Sequence, residues 1–280
     1  VPGVEEWRDG AFRRTVLLPG GPAVLAVAPA AGHIRGEVTF LDDDAGPDGG
    51  GRRAADLAAA GRLAARLLDL GTDPGPIDAV LGRDPLLADL VAAAPGRRVP
   101  GTVDGDEMAV RAVLGQQVST AAARTHAARL VSAHGRPLPR PVGSLTHLFP
   151  TAAALTALDP AALRLPAARR ATLRRLVDAL ASGEIDLTVG ADPALARSRL
   201  AALPGIGPWT LGTVAMRALG DPDAFLPGDL GVRAAAGALG LPTTARRLEA
   251  RAEAWRPWRA YAVQHLWGTG GHAVNRMPVG

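Results

Sequence analysis

The chain has 280 residues and a formal net charge of +4, enough length for two domains with an ample core. It holds no cysteine, which excludes disulfides, cysteine-ligated zinc and a cysteine-bound iron–sulfur cluster. No stretch approaches the roughly 18 unbroken apolar residues of a membrane span and no signal peptide is visible, so a soluble, cytoplasmic protein with no membrane partner is expected.

Charge is unevenly spread. Residues 1–88 carry 9 Arg against 13 Asp plus Glu, a net of −4, while residues 89–280 carry 22 against 14, a net of +8. That asymmetry turns the second part towards a polyanion. All 31 basic residues are arginine, so this chain has no lysine with which to form a Schiff base. His33, His126, His134, His147, His265 and His272 show no metal-ligand spacing.

The first part reads as α+β. Strands are expected over Phe12 to Leu18, Val24 to Val27 and His33 to Leu41, separated by Gly/Pro turns. Asp42 to Gly51 reads as an acidic, glycine-rich loop. Arg52 to Leu70 reads as an amphipathic helix that buries Leu57, Leu63, Leu67 and Leu68.

From about Pro85 the composition turns helical and arginine-rich. Val99-Pro100-Gly101 reads as a linker into a helix over Asp104 to Leu114. Gly115-Gln116-Gln117-Val118 is a polar break, with Ser119 the N-cap of a helix running to Val131. Pro137 to Pro141 reads as a turn-rich connection, and helices follow over Thr151 to Leu158 and Leu165 to Leu180. Arg169, Arg170, Arg174 and Arg175 on the latter could flank a polyanion, although such spacing ordinarily makes a solvated face.

Asp192 to Leu203 is again helical, with Leu195, Leu200 and Leu203 to bury. Leu203-Pro204-Gly205-Ile206-Gly207 then makes a tight turn, and Pro208 starts a helix with Leu211, Val214, Ala215 and Leu219 on one face. The turn would present the amides around Gly205 and Gly207 at a helix N-terminus, a place suited to phosphate. Asp229, in Leu226-Pro227-Gly228-Asp229, opens a further helix. A lone Asp there is ordinarily an N-cap. Near the end, Trp255, Trp258, Tyr261 and Trp267 crowd into WRPWRAYAVQHLW, where Trp258, Tyr261, Ala262 and His265 share one helical face.

LPGIGPWT followed by FLPGD resembles the helix-hairpin-helix DNA glycosylases, and most closely their DNA-3-methyladenine glycosylase II branch, which carries a tryptophan at Trp209 where lyase-type relatives carry a lysine. LGQQVS and the tail tryptophans are similar to further segments of that family. The resemblance implies a mainly α fold: a helix-hairpin-helix α-bundle with two helical lobes over 89–280, preceded over 1–88 by a small α+β domain with an antiparallel sheet. It implies Asp229 as the catalytic carboxylate and Trp209 and Trp267 as walls of a base pocket. Trp255 and Trp258 would be structural. Gly205, Ile206 and Gly207 would grip the DNA backbone, and Gln117, with Gln116 beside it, would fill the gap left by an extruded base. Leu230 and Thr213 stand where relatives can have tyrosines, which bears on the breadth of the substrate range.

The activity implied is hydrolysis of the N-glycosidic bond of alkylated purines such as 3-methyladenine and 7-methylguanine in double-stranded DNA. The enzyme would be monomeric, with no lyase step and no required cofactor, and with room for a monovalent cation on the hairpin carbonyls. An upstream regulatory or methyl-acceptor domain is compatible with a chain that starts at Val1. Two alternatives stand beside this reading: a DNA-binding module without catalysis, and a glycosylase for a different base such as hypoxanthine. Asp221 and Asp223 are the competing carboxylates, although Asp-Pro-Asp reads as turn chemistry.

Overall fold

A computed structural model describes residues 1–42, 49–159, 163 and 165–269. The chain opens with strands β1 (Glu5–Arg8), β2 (Ala11–Leu18), β3 (Gly21–Ala30) and β4 (His33–Phe40), followed by helices α1 (Gly49–Leu67), α2 (Pro74–Leu81), α3 (Ala88–Ala93), α4 (Gly105–Leu114) and α5 (Thr120–His134). A short hairpin, β5 (Arg136–Val142) and β6 (Leu145–Leu148), precedes α6 (Ala152–Leu155), α7 (Ala167–Ala181), α8 (Pro193–Ala202) and α9 (Pro208–Arg217). The described chain ends with α10 (Leu230–Ala238), α11 (Ala245–Arg251), a 3-10 turn (Ala252–Trp255) and α12 (Arg259–Gly268). The mainly helical fold with an antiparallel sheet at its start is as expected. No described helix is long and apolar enough to cross a membrane.

By packing, the chain forms two compact units, each drawn from two main stretches: Val1–Leu67 with Val113–Ile185, and Leu68–Ala112 with Asp186–Met277. The boundary at residue 88 follows charge and resemblance, whereas these units follow contacts.

In the first unit, β1 to β4 form an antiparallel meander in sequential order. Asp9 and Gly10 both take positive φ, 52° and 71°, in the two-residue turn that joins β1 to β2. β1 was not legible in the sequence because Glu5-Glu6-Trp7-Arg8 lacks apolar alternation. It is held by its register, Trp7 opposite Phe12, and by an Arg13–Glu6 ion pair at 2.9 Å.

Four expectations here need correction. Pro137 to Pro141 is not a loose connection but most of β5, whose Leu138 joins Leu145, Leu148, Val24 and Leu41 in one core cluster. Proline is tolerated because the pairing is irregular between Pro137 and Val142, where backbone donors are not needed. On α1, Leu57 is exposed, because the helix phase instead points Asp56, Ala60 and Leu67 inward, and Asp56 accepts the Gly20 N–H at 2.8 Å. That helix begins at Gly49, inside the expected acidic loop, of which residues 43–48 lie outside the described residues. On α7, Arg169 is buried, Arg170 donates to the Leu165 carbonyl at 2.7 Å and Arg174 to that of Thr156 at 3.1 Å, so these cations are committed to their own unit.

The second unit is built on an apolar cluster that includes Ile77, Leu81, Leu87, Met216, Leu226, Val232, Leu248, Trp255 and Leu266. Trp255 is fully buried, its indole N–H donates to Asp84 Oδ2 at 2.5 Å, and Phe225 meets its ring edge-on at 5.9 Å. Tyr261 is also buried. Its hydroxyl donates to Asp69 Oδ2 at 2.8 Å, and burial pushes it up to about 12. Leu195 on α8 is exposed instead of buried, with Ala196 and Leu200 taking the inner face. Two glycines permit close approaches: a Cβ on Gly105 would lie 2.3 Å from the Leu187 carbonyl oxygen, and one on Gly212 would lie 2.7 Å from Leu226 Cδ2.

Two titrations in this unit, one at the buried His265 and one at the half-buried Asp106, oppose each other. Burial, with Arg97 nearby, pushes the His265 imidazole down to about 4, so the unfolded chain takes up a proton first and stability falls as pH drops from 6.5 towards 4. Burial and the carboxylates of Asp104 and Asp186 push Asp106 up to about 6, so the folded chain takes up that proton first and stability rises as pH drops from 6 towards 3.8. Each effect is worth on the order of 2 kcal/mol once solvent at Asp106 is allowed for. Denaturant titrations between pH 7 and pH 4 are therefore expected to show a shallow profile for the native chain. Asp106→Asn should steepen the acid loss, and His265→Gln should reverse its sign.

Candidate active site

The expected site residues of the second unit fall at the ends of three helices. α8 starts after its N-cap Asp192 and stops at Leu203. The Ile206 N–H then bonds back to the Leu203 carbonyl at 3.1 Å, which closes the tight turn. Gly205 has φ +93°, a left-handed conformation that glycine adopts without strain. Gly207 is different: its φ of −87° suits any residue, and a Cβ there would meet no described atom within 4 Å. Neither conformation nor packing explains a glycine at 207. Pro208 occupies the first position of α9, and Trp209 follows, half-buried, with its carbonyl accepting from the Thr213 hydroxyl at 2.7 Å.

Asp229 is the N-cap of α10. Its φ and ψ are −68° and 132°, and Oδ1 accepts the Val232 N–H at 2.9 Å. The ordinary reading of an Asp at a helix start is therefore correct, and it is not the whole account. The Trp267 indole N–H, from the last turn of α12, also reaches Oδ1 at 2.9 Å, and the Trp209 indole N–H reaches Oδ2 at 2.9 Å. The two tryptophans and the carboxylate singled out from the sequence thus converge on one another through hydrogen bonds. Sequence reasoning missed the two indole bonds, because residues 20 and 38 positions from Asp229 are brought to it only by tertiary packing. Beside them Leu230 is 78% exposed, an apolar side chain at the first position of α10.

The competing carboxylates serve elsewhere. Asp223 receives Arg259 Nε at 2.7 Å and Nη2 at 2.9 Å, and pairs with Arg256 as well. Asp221 pairs with Arg197 at 3.0 Å and accepts the Asp223 N–H at 2.8 Å. Both are neutralised, turn-forming groups. Gln116 and Gln117 belong to the first unit. Gln117 is exposed with φ +54°, an uncommon left-handed conformation for a side chain that is not Gly, Asn or Asp, in the turn between α4 and α5. Ser119 caps α5 as expected, accepting the Ala122 N–H at 3.2 Å. Among the described residues, no group of three or more His, Cys, Asp or Glu side chains is placed to hold a metal ion.

The AlkA N-terminal domain family matches residues 1–104. The chain is 51% identical over 278 residues to a Mycobacterium tuberculosis protein named probable bifunctional transcriptional activator/DNA repair enzyme AlkA, covering 99% of this chain and 54% of that one. It therefore spans only about half the length of that relative. It is 38% identical over 252 residues to DNA-3-methyladenine glycosylase 2 of Escherichia coli K12, covering 86% of this chain and 84% of that one. In fold it is similar to a 3-methyladenine DNA-glycosylase from Archaeoglobus fulgidus, with a TM-score of 0.72 at 23% identity over 94% of this chain and 88% of the other.

Asp223→Asn removes the bidentate partner of the buried Arg259. We expect it to lower unfolding free energy by about 3 kcal/mol in denaturant titrations. Asp221→Asn, at a more exposed pair, should cost about 1 kcal/mol or less.

Proposed function

The chain belongs to the DNA-3-methyladenine glycosylase 2 (AlkA) family, and from that premise we propose that it is a monofunctional base-excision glycosylase which removes alkylated purines of the 3-methyladenine and 7-methylguanine type from double-stranded DNA. The observation that carries this reading is the Asp229 carboxylate, fixed at the start of α10 between the indoles of Trp209 and Trp267.

A base inside a duplex is out of reach of any side chain, so its nucleotide must be extruded, at a cost of roughly a few kcal/mol. On this reading the Gly205–Ile206–Gly207 turn holds the DNA backbone through contacts that carry no sequence information. Gly207, which the free chain does not need as glycine, leaves room for a phosphate to approach the backbone. The turn offers carbonyl oxygens, donors that suit a hard monovalent cation, and such an ion would offset phosphate charge. Gln117, with Gln116 beside it, fills the gap left by the extruded base.

Alkylation at N3 or N7 makes a purine cationic, and stacking a cation against an aromatic face is worth about 0.5–2 kcal/mol. Trp209 and Trp267 supply those faces. As the C1′–N bond breaks, its electron pair leaves with the base and the sugar becomes oxocarbenium-like. Water then adds at C1′ and loses its proton towards Asp229. At ~4 Å and an effective dielectric near 20, the carboxylate attracts that positive charge by about 4 kcal/mol, roughly a thousandfold in rate. With no lysine in the chain, no Schiff base forms and the strand is not nicked by this route. We take the enzyme to act as a monomer. A link to a regulatory or methyl-acceptor domain in a longer protein remains part of this reading; the name of the M. tuberculosis relative, of which this chain spans 54%, supports the regulatory link, since it joins a transcriptional activator to a DNA repair enzyme.

The test is release of 3-methyladenine and 7-methylguanine from methylated duplex DNA. Wild type should release both, and Asp229→Asn should lose about a thousandfold in rate while still binding the duplex. Binding without release by wild type would leave a DNA-binding module as the better account. Gly207→Ala should keep the native unfolding free energy and weaken duplex binding about tenfold or more; an unchanged affinity would remove the turn from the DNA contact surface.

A further inference from the structure

Among the described residues, three N–H groups reach the Asp229 carboxylate: Val232 and Trp267 on Oδ1, Trp209 on Oδ2, each at 2.9 Å. An ionised carboxylate has about four in-plane lone-pair positions, two on each oxygen. Oδ1 thus spends both of its positions within the protein, while Oδ2 spends one. The two indoles come from different helices, α9 and α12, and approach opposite oxygens, so together they fix rotation of the carboxylate about its Cβ–Cγ bond. An N-cap requires only the Val232 bond. The two indole bonds do nothing for the cap, and bonds to a charged acceptor are stronger than neutral ones.

We propose that Trp209 and Trp267 are positioning residues acting through their indole N–H groups: they clamp Asp229 so that the remaining lone pair of Oδ2 is the one directed at the reacting sugar or its water. This rests on the glycosylase reading and deepens it. The pocket role uses the faces of the rings, and the clamp uses their edges, so the two can be separated chemically.

Second-layer packing is consistent with a fixed Trp267. The Arg97 guanidinium donates to the Gln264 carbonyl at 3.3 Å in the last turns of α12. It also lies so close to Gly268 that a Cβ there would be 2.8 Å from Nη1 and Nη2. The helix end that carries the indole is thereby held from the side.

The experiment replaces each tryptophan site-specifically by 3-benzothienylalanine, which keeps a bicyclic aromatic face and has sulfur in place of N–H. Single-turnover release of 7-methylguanine and affinity for duplex DNA containing a tetrahydrofuran abasic analogue are measured together. The clamp predicts a rate lower by about 10- to 100-fold at either position, with affinity changed less than about threefold. In an Asp229→Asn background the same replacements should cause little further loss, because the group they orient is already gone. A rate within about threefold of wild type, or an undiminished loss in the Asn background, would overturn the clamp and leave the indoles as stacking surfaces only.

Should replacement impair folding, the indole ¹H–¹⁵N resonances of the unmodified protein decide. Those of Trp209 and Trp267 should shift on Asp229→Asn while those of Trp7, Trp255 and Trp258 stay in place, and static resonances at both positions would overturn the proposal. If wild type releases no base while those resonances do shift, the clamp exists but the glycosylase reading has failed, and the catalytic role proposed for the clamp fails with it.

Discussion

Arg259 to Leu266 are buried without interruption, so α12 has no solvated face. In a helix buried all round an unanswered polar side chain costs about 1–3 kcal/mol, a cost that the buried His265 ring limits by staying neutral while its neighbours find partners. Arg259 is answered by Asp223, Tyr261 by Asp69, and Gln264 by the sulfur of Met216. Just ahead of the helix, Trp255 is answered by Asp84. Those partners come from the 69–84 region, from the end of α9 and from the loop that follows it, so the demand of one helix for polar partners draws the two stretches of its unit together. The same insertion carries Trp267, at the helix end, to Asp229.

That arrangement also divides the carboxylates. Three aspartates lie within nine residues, at 221, 223 and 229, and all are turn or cap residues by local chemistry. Two are matched by arginine, so their charge is cancelled where it stands. Among the described residues, Asp229 differs from the other two in being held by neutral N–H donors and no arginine, one backbone donor and two indole. Neutral donors orient a carboxylate without cancelling its charge, the condition for one that must answer a positive charge arriving from outside.

Legibility from the sequence followed the range of the forces involved. Features set by neighbours along the chain were readable: Ser119 and Asp229 as caps, Pro208 at a first helical position, and Gly205 at a left-handed turn. Features set by distant partners were not. Strand β1 lacks apolar alternation and is held by pairing. β5 hides behind prolines that its irregular register tolerates, and Leu57 and Leu195 turn outward because helix phase is decided by what lies opposite. The site divides in the same way. Asp229, Trp209 and Trp267 were nameable from LPGIGPWT, FLPGD and the aromatic tail, whereas the hydrogen bonds that join them exist only once α9, α10 and α12 have met.

Spending both indole N–H groups on Asp229 leaves each ring only its π surface to offer a ligand. Such surfaces sense polarisability and positive charge and are blind to the donor and acceptor sequence along a purine edge. On the proposed glycosylase reading, a base pocket walled in this way would grade its guests by electron deficiency, continuously and without a lock-and-key alphabet. Different heterocycles bearing the same charge would look alike to it, and its discrimination would soften gradually as that charge is removed.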